Sequence, residues 1–327
     1  MAGPRKMHLV AYLMAGPSAS YPSTWRHPAA TLHDLFEPER WEHLAKVMEA
    51  AFFDACFFAD SLGIPDLYKG RYDDYIGRGG QLSLLDPMTL LPLMARVTSR
   101  LGLGVTLSTS FTPAYLLARY VSSLDLLSKG RAAWNVVTTG RDFEAQNCGV
   151  PGLPPKEQRY DMADEVLEAC EALWNGWDAD ALVLDKASGV FADPGKIRYA
   201  NYRDRYVSTR GPLPGPRSPQ GRPVLMQVAK DKGISFAEAV RRPRALLAGT
   251  PEMIADFMED WFKAGACDGF ILPPTIFPAT FEEFGRMVVP ELQRRGLFRT
   301  AYAGATLREN LRDPGSDRVG NLLRNHI

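Results

Sequence analysis

Four times before residue 140 the chain passes through an apolar stretch of strand length, and each time a stretch with helical spacing carries it to the next. "KMHLVAYLM" leads into "EPERWEHLAKVMEAAFFD" and then "ACFFAD"; "PMTLLPLMARVTS" leads into "LGLGVTLSTS"; "PAYLLARYVSSLDLLSKG" leads into "AAWNVVTT". Strands that are apolar throughout must be covered on both faces, so repeated β-α units of this kind predict a parallel sheet wrapped by helices. The boundaries carry their own signals. Asp86-Pro87 supplies an N-cap and a first-turn proline, Lys129-Gly130 marks a helix end, and Thr250-Pro251 opens "EMIADFMEDWFKAGA".

A parallel sheet of this length is either a barrel or an open doubly wound sheet. No GxGxxG turn follows the first strand, as a dinucleotide-binding sheet would usually show. Polar residues instead gather where strands end: Asp60 and Ser61, then Thr106, Ser108 and Thr109, then Asn135, Thr138 and Thr139. In a barrel that face holds the active site, so the expected fold is a TIM-barrel (β/α)8-type α/β fold. Only two further strands are legible, "VLMQVA" and "DGFILPP", so the barrel is shortened to about six strands. Residues 141–222 form a long insertion with one clear helix, "QRYDMADEVLEACEALWNGW", and a Gly/Pro-rich run. The expected organisation is a single barrel domain over residues 1–312 and a polar tail over 313–327.

Lys plus Arg and Asp plus Glu both total 38, so no net field draws the chain to nucleic acid or an anionic membrane. No apolar run approaches the roughly 20 residues that span a bilayer, and the N-terminus lacks signal-peptide form. The expectation is a cytoplasmic protein. Cys56, Cys148, Cys170 and Cys267 form no CxxC pair and read as reduced, mostly buried thiols. The five histidines show no metal-binding spacing, and no metal site is expected.

"WRHP", "FFADS", "STSFTPAYLLARYVSSLDLLSKGRAAWNVVTT", "RGPLPGPRSPQGRPVLMQ", "GTPEMIADFMEDWFKAGACDGFIL" and "VVPELQRRGLFRTAYAGATLRENL" occur in the order found in the bacterial luciferase-like monooxygenases. The chain resembles the branch holding nitrilotriacetate monooxygenase component A, dibenzothiophene-sulfone monooxygenase and long-chain alkane monooxygenase. That resemblance implies a two-component enzyme. It would take FMN in reduced form, FMNH2, from a separate NAD(P)H-dependent flavin reductase and insert one atom of O2 into a small organic substrate through a flavin C4a-(hydro)peroxide. It also implies a homodimer.

By the same resemblance Asp60 and Thr106 match positions that contact the flavin, and Tyr160 matches one near its phosphate. Lys156 stands where the family often carries a histidine, and Asn135 is a further candidate from the strand-end face. Each also has an ordinary reading: Asp60 as a turn residue, Thr106 as a β-branched core residue, Tyr160 as an exterior aromatic, Lys156 as a solvated charge. Trp25 and His27 are candidates for the substrate mouth. Trp134 and Asn135 are adjacent in a strand and point to opposite faces, which assigns Trp134 to the core. His8 reads as a satisfied strand residue.

After the "VLMQ" strand, family members continue with a small-residue turn bearing a serine and two more β-α units. Here Gln227 and Gly249 have only 21 residues between them, so a deletion is expected near 228–248, with Asp231 at about the serine's place. A carboxylate there would repel a phosphate. This leaves an alternative: a non-catalytic flavin-binding protein, or an inactive deletion variant.

Overall fold

A computed structural model describes residues 5–226 and 247–311. Asp231 and most of the expected deletion region, 228–246, lie outside the described residues.

Strand β1 (His8–Leu13) leads through a short 3-10 turn (Thr24–Arg26) to helix α1 (Pro38–Ala50) and β2 (Ala55–Phe58). The short helix α2 (Asp73–Gly77) precedes α3 (Pro87–Val97), and β3 (Gly102–Ser108), α4 (Ala114–Leu127) and β4 (Ala132–Val137) follow. The long excursion holds α5 (Asp142–Asn147), α6 (Lys156–Trp174) and four short strands, β5 (Leu182–Asp185), β6 (Val190–Ala192), β7 (Tyr202–Arg203) and β8 (Ser208–Thr209). The chain then re-enters the sheet at β9 (Val224–Met226). After α7 (Pro251–Lys263) come β10 (Gly269–Leu272), α8 (Ala279–Glu283), a π-helical turn (Phe284–Val288), α9 (Val289–Arg294) and α10 (Leu307–Leu311).

Six strands form one curled parallel sheet in the order β10-β1-β2-β3-β4-β9. The four consecutive strands sit side by side, as short right-handed crossovers require. Pairings run Val10 with Ala55, Phe57 with Gly104, Thr106 with Asn135 and Asn135 with Met226, so one residue parity lines the concave face. Among the described residues the sheet ends at β9 and β10, and Ile271, paired with Val10 on the concave side, is 51% exposed.

The other parity makes the core. Leu9, Leu13, Phe58, Leu103, Val105 and Trp134 are buried against the helices. The rings of Trp41 on α1 and Phe58 lie 5.6 Å apart, and Trp134 meets Trp174 of α6 edge to face at 6.4 Å. Each such side chain contributes about 1.5–3 kcal/mol by burial. The expected caps form: Asp86 accepts from the Met88 N–H at 2.8 Å, and the Thr250 hydroxyl accepts from Met253 at 3.3 Å. Lys129 and Gly130 both have positive φ, which ends α4.

The concave face is kept shallow by small residues. A Cβ on Gly104 would stand 2.6 Å from the Phe57 Cβ, and one on Gly102 would stand 2.5 Å from Leu307 Cδ1. Leu307 of α10 thus seals the N-terminal end of the barrel against Ala55 and Ala133. Beside it, buried Asp54 accepts from the Leu9 N–H and contacts His8 Nδ1, both at 2.8 Å, and also receives Arg299. His8 is therefore a satisfied strand residue, as its position in the sequence suggested.

The insertion differs from its sequence reading. One helix was legible there, yet the structure adds α5 and two antiparallel hairpins, β5-β6 and β7-β8. These strands are two to four residues long and largely exposed, so no apolar alternation announces them. The thiols also depart from expectation: Cys56 and Cys170 are buried, Cys148 is exposed and Cys267 lies between. Among the described residues no helix is long and apolar enough to cross a membrane.

Candidate functional site at the strand ends

The C-terminal ends of β2, β3 and β4 surround a cavity of about 300 Å³, bounded by Asp60, Thr106, Ser108, Thr139, Glu144 and Met88 among others. The hydrogen bonds show why these ends hold their shape. The Thr106 hydroxyl donates to the Phe58 carbonyl at 2.6 Å and accepts from the Asn135 amide at 2.9 Å. One side chain on β3 therefore ties β2 to β4. Its single proton is used, so Thr106 presents no free donor, and its effect on the cavity is to orient Asn135. Further out, the Ser108 and Thr139 hydroxyls share a 2.6 Å bond, and the Ser110 hydroxyl donates to the Thr138 carbonyl at 2.9 Å. Leu62, Met88, Leu107 and Val137 supply the cavity's apolar lining, while Tyr12 and Phe57 meet edge to face at 5.4 Å on the concave side of the sheet.

Asp60 stands just past β2. Burial pushes its carboxyl up from the ordinary carboxylate value. The nearby Ser83 hydroxyl and the Ser61 N–H pull the other way, and the charges of Asp86 and Glu144 push it up further.

Not all the sequence candidates meet here. Asp60 and Thr106 line the cavity, and Asn135 is bonded to Thr106. Lys156 and Tyr160 instead face each other one turn apart at the start of α6, the ammonium 5.8 Å from the ring centre, with Tyr160 44% exposed. They do not line the cavity. Trp25 and His27 lie beyond β1. His27 borders a separate open groove of about 620 Å³ together with Arg26, Thr275 and Ile276. Trp25 does not line that groove: its indole donates to the Arg78 carbonyl at 3.3 Å and packs on Gly79, where a Cβ would come within 2.1 Å.

Glu144 escaped the sequence reading. It sits in the excursion after β4, where no periodicity singles it out, and only the rule that loops after barrel strands carry the site points to it.

The luciferase-like monooxygenase family profile matches residues 19–267, most of the chain. A dibenzothiophene-sulfone monooxygenase from Rhodococcus erythropolis (strain XP) is 33% identical, with 95% of this chain and 97% of the relative aligned. That alignment is 442 positions long. Because 95% of 327 residues fill only about 311 of them, about 130 positions face no residue of this chain. The crystal structure of a long-chain alkane monooxygenase superposes with a TM-score of 0.87 at 27% identity, covering 96% of this chain and 97% of that one. A riboflavin lyase solved with modified FMN and riboflavin superposes at 0.84, with 27% identity and 94% and 96% coverage. The chain belongs to the luciferase-like monooxygenase family. Its six-stranded sheet is that family's barrel-type fold in shortened form.

Proposed function

We propose that this protein is the oxygenase of a two-component system, taking reduced FMN from a separate NAD(P)H-dependent reductase and inserting one atom of O2 into a small organic substrate. The observation that carries the reading is the strand-end cavity, lined by Asp60 and by Thr106, the latter bonded to Asn135, together with apolar Leu62, Met88, Leu107 and Val137. A flat aromatic ring system with a hydrogen-bonding edge suits such a site, which combines apolar side chains with a few polar groups.

The Asn135 amide retains its carbonyl oxygen and one N–H beyond the bond to Thr106, and Asp60 offers acceptor oxygens. These groups would hold the pyrimidine edge of the ring. Lys156, as a point charge, and Tyr160, as a hydroxyl, would serve the phosphate from the start of α6. When bound, the flavin supplies the activation of O2. The chain's part is to fix the ring in the cavity and to keep water from it with the apolar lining of Leu62, Met88, Leu107 and Val137.

We further propose that the chain lacks an internal segment near 228–248, which the unmatched positions in the 442-position alignment support. The sheet, open among the described residues, favours a second reading, a protein that binds flavin without turnover. An anaerobic titration with FMN and dithionite-reduced FMN separates the two when followed by O2 uptake with a flavin reductase and a panel of sulfones, sulfides, amines and alkanes. Saturable preference for reduced FMN with oxygenated product supports the oxygenase. Tight binding with no product from any substrate supports the second reading, and a folded protein that binds neither form overturns both. A soluble location in the cytoplasm and a homodimer belong to the same proposal.

A further inference from the structure

We propose that Glu144 and Asn147 are positioning residues that grip the Leu62 peptide from α5 and thereby fix where Asp60 stands at the cavity. The proposal rests on the flavin reading for what Asp60 touches; the grip itself is a property of the protein alone. Leu62 lies two residues past Asp60, and its side chain is 42% exposed, so apolar burial does not anchor this turn. Its backbone is held instead. One carboxylate oxygen of Glu144 accepts from the Leu62 N–H and from the Ser61 hydroxyl, each at 3.0 Å. The Asn147 amide donates to the Leu62 carbonyl at 2.7 Å.

Glu144 and Asn147 are three apart on one helix and so share a face, which lets them reach both backbone polar groups of one residue. The approach needs a glycine next door: a Cβ on Gly63 would stand 2.6 Å from the Asn147 amide nitrogen and 2.8 Å from the Phe143 ring. The α5 segment, which follows β4, thus reaches back to the segment after β2 and clamps its main chain.

Glu144 acts a second way. It is only 8% exposed, and the hydrogen bonds its carboxylate receives come from neutral donors, so its charge is felt locally. The groups facing Asp60 are the carboxylates of Glu144 on α5 and Asp86 at the cap of α3, with Ser83 and the Ser61 N–H opposing them. Geometry and field from α5 therefore converge on the same carboxyl.

The test uses the full chain. In ligand-free protein labelled at aspartate carboxyl carbons, with the Asp60 resonance identified by Asp60→Asn, Glu144→Gln keeps an acceptor and removes the charge. The Asp60 titration midpoint moves down. Asn147→Ala removes the other half of the grip, and exchange of the Leu62 amide hydrogen rises about tenfold, as loss of one hydrogen bond predicts.

Binding of dithionite-reduced FMN weakens about fivefold in Asn147→Ala, and this loss disappears when Asp60→Asn is already present. A residue that merely stabilises the fold would weaken binding equally in both backgrounds, and that result overturns the proposal. So does an unmoved Asp60 midpoint in Glu144→Gln. Should Asn147→Ala fail to fold, Asn147→Leu removes the donor at nearly constant shape without adding a charge and is read the same way. If the wild-type chain binds no reduced FMN, the proposed function fails separately, and the Asp60 midpoint and Leu62 exchange still decide the grip.

Discussion

Asp60 carries the most testable chemistry at the scale of single residues. Its carboxyl is held above the ordinary value chiefly by burial, so the folded protein binds that proton more tightly than the unfolded chain does. The resulting stability is fully present below the unfolded pKa of about 3.9 and is lost as pH rises through the folded value. Asp60→Asn, which cannot ionise, is expected to melt above wild type at neutral pH, with the gap closing as the pH falls toward 4. Thermal melts across pH check this, and a gap that widens in acid contradicts it. The same substitution is expected to weaken binding of reduced FMN, the usual exchange of stability for function at a buried ionisable group. Asp60 and Thr106 were legible because strand ends are legible. Glu144 was not, since its partners Ser61 and Leu62 lie 82 or more residues away along the chain.

Elements are held by devices that the pattern of apolar residues does not show. Arg131, 3% exposed, donates to the carbonyls of Ala95, Thr98, Leu101 and Ser128 and to the Thr98 hydroxyl, joining the ends of α3 and α4 to the start of β3 and β4. Burial lowers its pKa, and the carbonyl dipoles at two helix ends favour the charge that remains. Arg131→Met leaves those carbonyls unpaired, and a loss of about 3 kcal/mol in urea unfolding is expected. Gly104→Ala forces a methyl into Phe57 and the Cys56 carbonyl. Overpacking against backbone is expected to cost about 1–3 kcal/mol, and a variant as stable as wild type would show that β3 and β2 can separate. The principal helices and the six sheet strands were readable from periodicity and caps. The hairpins β5-β6 and β7-β8 were not, because short exposed strands bury no face.

At the scale of the whole molecule, the sheet formed by the described residues is open. Among the described residues β9 and β10 are edges, and such edges favour pairing with another chain. A dimer is expected, with a melting temperature that rises with protein concentration. A concentration-independent melt and a monomer mass in sedimentation would remove that expectation. Thiol accessibility tests the fold more directly. Burial pushes the Cys56 and Cys170 thiols up to about 12, so neither supplies thiolate near neutral pH. Native protein is expected to react with a thiol reagent quickly at Cys148, slowly at Cys267, and at Cys56 and Cys170 only on unfolding. Fast labelling of all four would mean that the shortened barrel opens as a unit.

What the sequence determined by itself was local or periodic: strands apolar on both faces, helices with their caps, polar residues where strands end, and the order of motifs that places the chain among luciferase-like monooxygenases. Those features depend on neighbours within a few turns of chain, and the family's segments keep their order. Tertiary structure alone decided which strand-end groups share a cavity. It joined Thr106 to Asn135 across a strand pair, brought Glu144 and Asn147 to the Leu62 peptide, and left Lys156 and Tyr160 facing each other on α6. Hydrogen bonds between distant residues depend on register and curl, which no local pattern encodes.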